Sequence, residues 1–133
     1  MRITKKQIKK MDKYNKIENL TEELKNLLIK NDYFKDVTIY YNNKAVRYDY
    51  ENGNYEDIII LKNVDSKKIF EFGNHETIII GFEGKLYKAI NYPDKRADYS
   101  IVEEMEKLFE KYGYYSELGY SYSLSLYQIE KVS

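Results

Sequence analysis

The spacing of apolar residues predicts that the chain begins with a helix. Four apolar side chains recur at every third residue from Ile8 to Ile17, which is typical of one face of an amphipathic helix. Thr4 and Gln7 have the spacing of a capping box, in which each side chain satisfies a backbone N–H group of the other residue. The first helix is therefore expected to begin directly after Thr4.

A second apolar helical face follows closely. It consists of the leucines in residues 20–28, with Asn19 as a candidate N-cap and Asn31 as a plausible end. The pattern is compatible with two helices or with one bent helix, and it does not decide between them.

The middle of the chain changes to short β-branched and alternating runs, which favour strands over helices. Asn42 and Asn43 tolerate positive φ, so they predict a hairpin turn between strands at residues 37–41 and 44–50. A second turn is predicted at residues 51–54. Further strands are predicted at 58–61, where the strand should be buried, at 67–72, and in a hairpin spanning 76–92 with its turn at Glu83-Gly84-Lys85.

The C-terminal third predicts one helix and a strand. Asp98 is the expected N-cap of the helix, and Gly113 is well placed to end it. Tyrosine or leucine alternates with serine in residues 120–127, which predicts a strand with a possible partner at 114–117. The whole pattern predicts one α+β domain over residues 1–133, with N-terminal helices, an antiparallel meander of about five or six strands, one helix and a C-terminal strand on the same sheet.

Composition narrows the class of protein. The 133 residues carry 22 basic and 22 acidic side chains, so neither a general DNA-binding protein nor an acidic DNA mimic is expected. The sequence has no cysteine, which excludes disulfides and thiolate metal sites. No apolar run approaches the roughly 20 residues that cross a bilayer, and the N-terminus lacks an apolar signal segment. We expect a cytoplasmic protein without a membrane partner.

Positive charge is concentrated at the start of the chain. Residues 1–17 read as a basic helical segment whose lysines could contact phosphates or an acidic protein surface. The competing interpretation is a helix that Ile8 and Met11 pack against the core, with a solvated lysine face. The candidate contact residues are Lys5, Lys6, Lys9, Lys10, Lys13 and Lys16.

Two further groups are candidate partner-binding residues. Acidic side chains on the C-terminal helix could meet a basic groove, although their placement also suits the helix dipole and pairing with lysine. Tyrosine provides large, rigid contacts with a polar tip, and the chain has 16 of them. The candidates are Glu103, Glu104, Glu106, Glu110, Tyr114, Tyr115, Tyr120 and Tyr122.

Candidate catalytic chemistry is sparse. The order of elements resembles the core of metal-dependent nucleases, and Asp57, Glu83 and Lys85 are the formal candidates for its acidic and lysine positions. However, Glu83 and Lys85 are better explained by the predicted turn. His75 is the only histidine, and no nucleophile or acid that would act with it can be identified. We expect no catalytic residues, no metal site and no cofactor.

In size, lack of cysteine and richness in Tyr, Asn, Ile and Lys, the whole chain resembles small phage-encoded anti-CRISPR proteins of low-GC bacteria. This resemblance rests on the strand region from Val37 to Tyr92, the Glu-rich helix from Tyr99 to Tyr112 and the Tyr-rich end, and it includes no motif. It implies a non-catalytic inhibitor that binds a larger protein or nucleoprotein complex, such as a CRISPR effector nuclease. The alternatives are an immunity or antitoxin protein, a Mg²⁺-dependent nuclease and a small nucleic-acid-binding protein. A homodimer is compatible with each.

Overall fold

The computed structural model describes residues 2–51 and 56–130 as helices packed on one face of a six-stranded antiparallel sheet. The helices are α1 (Lys5–Lys30), α2 (Gly84–Asn91) and α3 (Arg96–Lys111). The strands are β1 (Val37–Tyr41), β2 (Lys44–Tyr48), β3 (Ile58–Lys62), β4 (Ile78–Phe82), β5 (Tyr114–Leu118) and β6 (Ser123–Gln128), in the order β3-β2-β1-β4-β6-β5. The predicted α+β class is confirmed.

The register of the sheet places one apolar row beneath the helices. Ile39 lies opposite Val46 on one side and Ile80 on the other, and Ile80 lies opposite Leu124. Residues directly opposite each other point to the same face, so these four side chains form one buried row. The helices cover the row with Ile17, Leu20, Leu24, Leu28, Leu86, Ala89, Ile101, Met105 and Phe109.

The N-terminal segment is one helix, which settles the question that the sequence left open. The capping box is present: Gln7 N–H donates to Thr4 Oγ1 at 3.1 Å, and Thr4 N–H donates to Gln7 Oε1 at 2.8 Å. Asn19 lies inside α1 and caps nothing, whereas Asn31 is the C-cap. The leucine face around Leu24 packs on the sheet, and this packing stabilises a helix that continues without a break at Asn19.

The first hairpin follows its prediction closely. Asn42 and Asn43 have φ values of 46° and 59°, as a two-residue hairpin turn with left-handed residues requires. β2 ends at Tyr48, two residues earlier than expected. The second predicted turn, at residues 51–54, lies outside the described residues except for Glu51.

The strand predicted after residue 84 is wrong, because this segment is helix α2. Leu86, Ala89 and Ile90 have the i, i+3, i+4 spacing of a helix face, and α2 packs against α3. Over eight residues this spacing is easily mistaken for strand alternation. Lys85 is therefore helical rather than part of a hairpin turn.

β3 exists as predicted, but it is an edge strand and not a buried one. It pairs only with β2 within the described chain, and Ile58, Ile60 and Leu61 are exposed. A continuous apolar run cannot distinguish a central strand from an edge strand, since that depends on how the strands are ordered.

The strand predicted at residues 67–72 is also wrong. Residues 63–77, the covering loop, contain a short 3-10 helix at Ser66–Lys68 and cross the second face of the sheet, opposite the helices. Phe70 is buried there and meets the Tyr40 ring edge-on, with ring centroids 5.2 Å apart. The bare backbone of Gly81 makes room for this ring, because a Cβ at Gly81 would lie 3.3 Å from Phe70 Cζ.

The C-terminal hairpin is confirmed, but its second strand begins at Ser123 rather than Tyr120. Residues 119–122 form the turn. Ser123 and Ser125 are buried as fully as Leu126, because the covering loop lies over their face of the sheet. The alternation of serine with larger side chains in this strand therefore does not make the serine face solvent-exposed.

Gly73→Ala is expected to destabilise the protein by about 1–3 kcal/mol. Gly73 has φ of 149°, and a Cβ there would lie 2.7 Å from Ser125 Oγ and 3.1 Å from Ile79 Cδ1. Gly113→Ala is the matched control: φ is 84°, but the added Cβ would meet only the end of the Lys16 side chain at 3.6 Å. Urea unfolding should show the larger loss for Gly73→Ala. Equal losses would mean that backbone strain accounts for the lost stability, and that the close approach of the added Cβ to Ser125 on β6 does not.

Candidate interaction surfaces

The first turns of α1 project beyond the body of the protein. Every residue from Arg2 to Asn15 is exposed, and this includes the apolar side chains of Ile8 (47%) and Met11 (54%). The interpretation in which Ile8 and Met11 pack the helix against the core is therefore wrong. We call residues 2–13 the basic arm; it contains Lys5, Lys6, Lys9, Lys10 and Lys13.

Contacts with the body begin where the arm ends. The Tyr14 carbonyl accepts a hydrogen bond from Asn42 Nδ2 at 3.2 Å. The Tyr14 hydroxyl lies 3.2 Å from Lys44 Nζ. Lys44 also pairs with Glu18. Lys16 is not part of the free surface, because its ammonium lies 4.5 Å from the centroid of the Tyr114 ring. The basic arm thus extends past the β1–β2 turn, with a helical rise of about 1.5 Å per residue.

The four acidic candidates are all exposed on α3, as their helical spacing predicted, but they have different neighbours. Glu103 pairs with Lys107 at 3.3 Å, which is an ordinary surface i, i+4 ion pair. Glu106 lies at the rim of an apolar groove of about 300 Å³ between α3 and β5, lined by Ile90, Val102, Met105, Phe109, Ser116, Leu118 and Leu124. Glu104 lines a separate depression against α1, and Glu110 is exposed.

The tyrosine candidates are divided among different places. Tyr114 is buried in the core, where burial raises the pKa of its hydroxyl, so it has no ring to offer a partner. Tyr115 is exposed on the second face and stacks on Tyr127, with centroids 5.8 Å apart. Tyr120 and Tyr122 stack in the β5–β6 turn, 5.2 Å apart. Because α3 lies on the helix face, the acidic and tyrosine candidates do not form one surface.

A cleft that the sequence analysis missed opens on the second face, at the end opposite the basic arm. It encloses about 330 Å³ and is lined by Asp36, Thr38, Tyr40, Tyr50, Phe70, Gly81, Phe82, Glu83 and Tyr122. We call it the tyrosine cleft. Its residues come from β1, β4, the covering loop and the connections before β1, after β2, after β4 and before β6, so no local spacing in the sequence could have revealed it.

His75 has a partner that the sequence did not indicate. Its Nδ1 lies 2.8 Å from Ser66 Oγ in the covering loop, beside an open polar depression. In the described part of the chain, no carboxylate hydrogen-bonds the imidazole, so the orienting acid of a hydrolase triad is missing from this pair. The contact is best understood as one that holds the loop together.

The geometry separates the three candidate residues of the nuclease interpretation. Asp57 precedes β3 and Glu83 follows β4, and these strands are separated by β2 and β1. At about 4.8 Å per strand, the backbones of these two residues are on the order of 14 Å apart, so their carboxylates are not placed to share a metal ion. Lys85 instead pairs with Asp32 at 3.6 Å and lies over the Tyr33 ring. Within residues 2–51 and 56–130, no group of three or more histidine or acidic residues could hold a metal.

Comparisons do not assign the chain to a class. No protein-family model matches the sequence, and neither the curated proteins nor the solved structures include a significant match. Among the described residues, no helix has the length and apolar character needed to cross a membrane.

Proposed function

We propose that this protein is a non-catalytic inhibitor that binds and blocks a bacterial defence nuclease of the CRISPR effector type. The observation that carries the binding role is the basic arm, which combines five lysines with the uncovered side chains of Ile8 and Met11. A helix that exposes its apolar stripe over three turns gains stability when a partner covers that stripe.

The chemistry of the basic arm favours a nucleoprotein over either component alone. Lysine ammonium groups are suited to phosphates, whereas Ile8 and Met11 are suited to an apolar groove in a protein. A guide-loaded nuclease presents RNA phosphates beside protein surface, so a single partner of this class would supply both kinds of contact. The choice of this nuclease class rests on the resemblance in size and composition.

Inhibition provides a direct test. The purified protein, titrated against a fixed amount of guide-loaded effector from a low-GC bacterium, should stop cleavage of target DNA at about one equivalent and co-elute with the effector. Removal of residues 2–13 should abolish both effects. If cleavage stays unchanged at large excess across type II and type V effectors, and no complex elutes, the proposed function is wrong.

A small nucleic-acid-binding protein is the second candidate, and the same lysines favour it. Such a protein would bind RNA or DNA without the effector, with an affinity that falls steeply with salt. The inhibitor should instead need the effector protein for tight binding. Electrophoretic mobility assays with guide RNA alone and with the loaded effector separate these two functions.

A further inference from the structure

We propose that the tyrosine cleft binds the guanidinium or ammonium group of a basic side chain on a protein partner. This inference rests on the proposed function, because it assigns the cation to the protein that the inhibitor binds. The basic arm and the cleft lie at opposite ends of the molecule, so the two sites would make separate contacts with that partner.

Aromatic rings form the walls of the cleft. Tyr40, Tyr50, Phe70 and Tyr122 all line it, and Phe70 holds Tyr40 in place through their edge-on contact. Tyr122 is backed by Tyr120, whose ring is nearly parallel, with an interplanar angle of 6°. The faces of aromatic rings carry negative partial charge, and they attract a cation within about 6 Å of the ring centre.

Two carboxylates add formal negative charge. Asp36 is half-buried just before β1, and Glu83 is exposed just after β4. Within the described chain, neither carboxylate forms an ion pair, although seven other ion pairs are present. Asp36 lies beside the start of α2, because a Cβ added at Gly84 would be 2.9 Å from Asp36 Oδ2. Glu83 is the N-cap residue of α2, and its side chain makes no cap hydrogen bond.

Arg47 indicates what this face accepts. Its guanidinium lies 5.1 Å from the centroid of the Tyr50 ring and 3.8 Å from Glu51. Arg47 is not among the residues that line the cleft, and the described lining residues include the carboxylates of Asp36 and Glu83 but no lysine or arginine. Phosphates would be repelled by these carboxylates, which argues against nucleic acid as the occupant.

The size of the cleft also fits a side chain. A volume of 330 Å³ is at the lower end of the range of about 300–1,000 Å³ for small-ligand pockets, so one arginine or lysine fits but a folded element does not. A guanidinium in the cleft beside the Tyr122 ring could donate hydrogen bonds to Glu83, and such charge-assisted hydrogen bonds are strong.

The test uses a short arginine peptide, and its citrulline counterpart serves as an uncharged control of the same shape. Aromatic ¹H–¹³C spectra of the full chain should show saturable shifts of the cleft rings with the arginine peptide, at a dissociation constant on the order of 1 mM. Glu83→Gln should weaken binding about tenfold, and Tyr122→Ser about fivefold. The controls Glu117→Gln and Tyr99→Ser change an exposed acid and an exposed tyrosine elsewhere, and they should leave binding unchanged.

Equal shifts with the citrulline peptide, shifts confined to other tyrosines, or no shift up to about 20 mM would overturn the inference. The same variants in the cleavage assay distinguish it from the proposed function. Intact inhibition by Glu83→Gln and Tyr122→Ser, together with no peptide binding, would remove the cleft and leave the inhibitor. Selective arginine binding without inhibition of any effector would support the cation site and remove the nuclease as partner.

Discussion

Replacing Lys5, Lys9 and Lys13 with glutamate is expected to lower affinity for the nucleoprotein partner about 100-fold at moderate salt. These lysines lie on the basic arm, where none forms an ion pair within the described chain and the body offers no competing contact. Each reversal removes a phosphate contact and adds a repulsive charge. Titration of the labelled variant against the loaded effector at several salt concentrations measures the loss and its salt dependence.

Stability should not fall in this variant. Lys5 lies in the first turn of α1, which contains no acidic residue, and glutamate there interacts favourably with the helix dipole by about 0.3–1 kcal/mol. The matched control reverses Lys62, Lys68 and Lys95, which are exposed elsewhere and also lack ion pairs in the described chain. A similar loss of affinity in both variants would mean that net charge, and not the basic arm, governs binding.

The apolar stripe of the arm can be tested without changing charge. Ile8→Ser combined with Met11→Ser removes the exposed apolar surface and keeps every lysine. If the arm also docks on protein, this variant should lose affinity for the effector but keep its weak affinity for guide RNA. Unchanged affinity for the effector would reduce the role of the arm to electrostatic attraction.

Local signals in the sequence predicted the features that depend on local chemistry. Thr4 and Gln7 formed the capping box, Asn42 and Asn43 formed the hairpin turn, and Gly113 has the positive φ that ends α3. In each case the residue type satisfies a backbone requirement within four residues, so distant contacts do not alter the outcome.

Features that depend on strand order or on distant packing were beyond the sequence. Ile58–Leu61 is exposed because β3 lies at the edge of the sheet, and residues 84–91 are helical because α3 offers them an apolar surface. The tyrosine cleft joins side chains from Asp36 to Tyr122 that no periodicity connects. The basic arm was visible as a charge pattern, but its exposure was not.

Asp98 was expected to cap α3, but Lys95 is the N-cap and Asp98 lies inside the first turn. Its carboxylate is buried and accepts hydrogen bonds from Tyr33 Oη at 2.7 Å and from the backbone N–H of Asp94 at 3.3 Å. It therefore ties the middle of the α1–β1 connection to the start of α3. No other buried acidic side chain is present in the described chain.

Asp98→Ala is expected to lower the free energy of unfolding by about 2–4 kcal/mol, because it leaves the buried Tyr33 hydroxyl without its acceptor. Glu103→Ala is the control on the same helix. It removes a surface ion pair with Lys107 at 3.3 Å and should cost less than about 1 kcal/mol. Urea unfolding near neutral pH compares the two; similar costs would show that the Tyr33–Asp98 pair contributes little.

The pH dependence of stability gives a second readout of the same pair. The hydrogen bond from Tyr33 lowers the pKa of Asp98 below its ordinary value. Near pH 4 the unfolded chain therefore binds a proton at Asp98 more readily than the folded chain does. The ionised Asp98 stabilises the folded chain above that pH, and this stabilisation is lost as pH falls through the lower pKa of the folded state. Burial, and then Asp98 itself, raise the pKa of Tyr33 to about 12. The stabilisation from Tyr33 is thus complete below about pH 10 and is lost as pH rises toward 12.

Tyr33→Phe and Asp98→Asn, alone and combined, separate the hydrogen bond from the packing around it. Tyr33→Phe should remove the part of the alkaline loss of stability that Tyr33 contributes, whereas Tyr112, whose pKa is also raised to about 12, keeps its own part. It should also raise the pKa of Asp98 toward its ordinary value, so that the acid sensitivity from Asp98 becomes smaller. If the two changes are coupled, the double variant should lose less stability than the sum of the single variants. Additive losses and an unchanged acid limb would show that Asp98 is held by the first turn of α3 alone, through its backbone N–H groups and dipole.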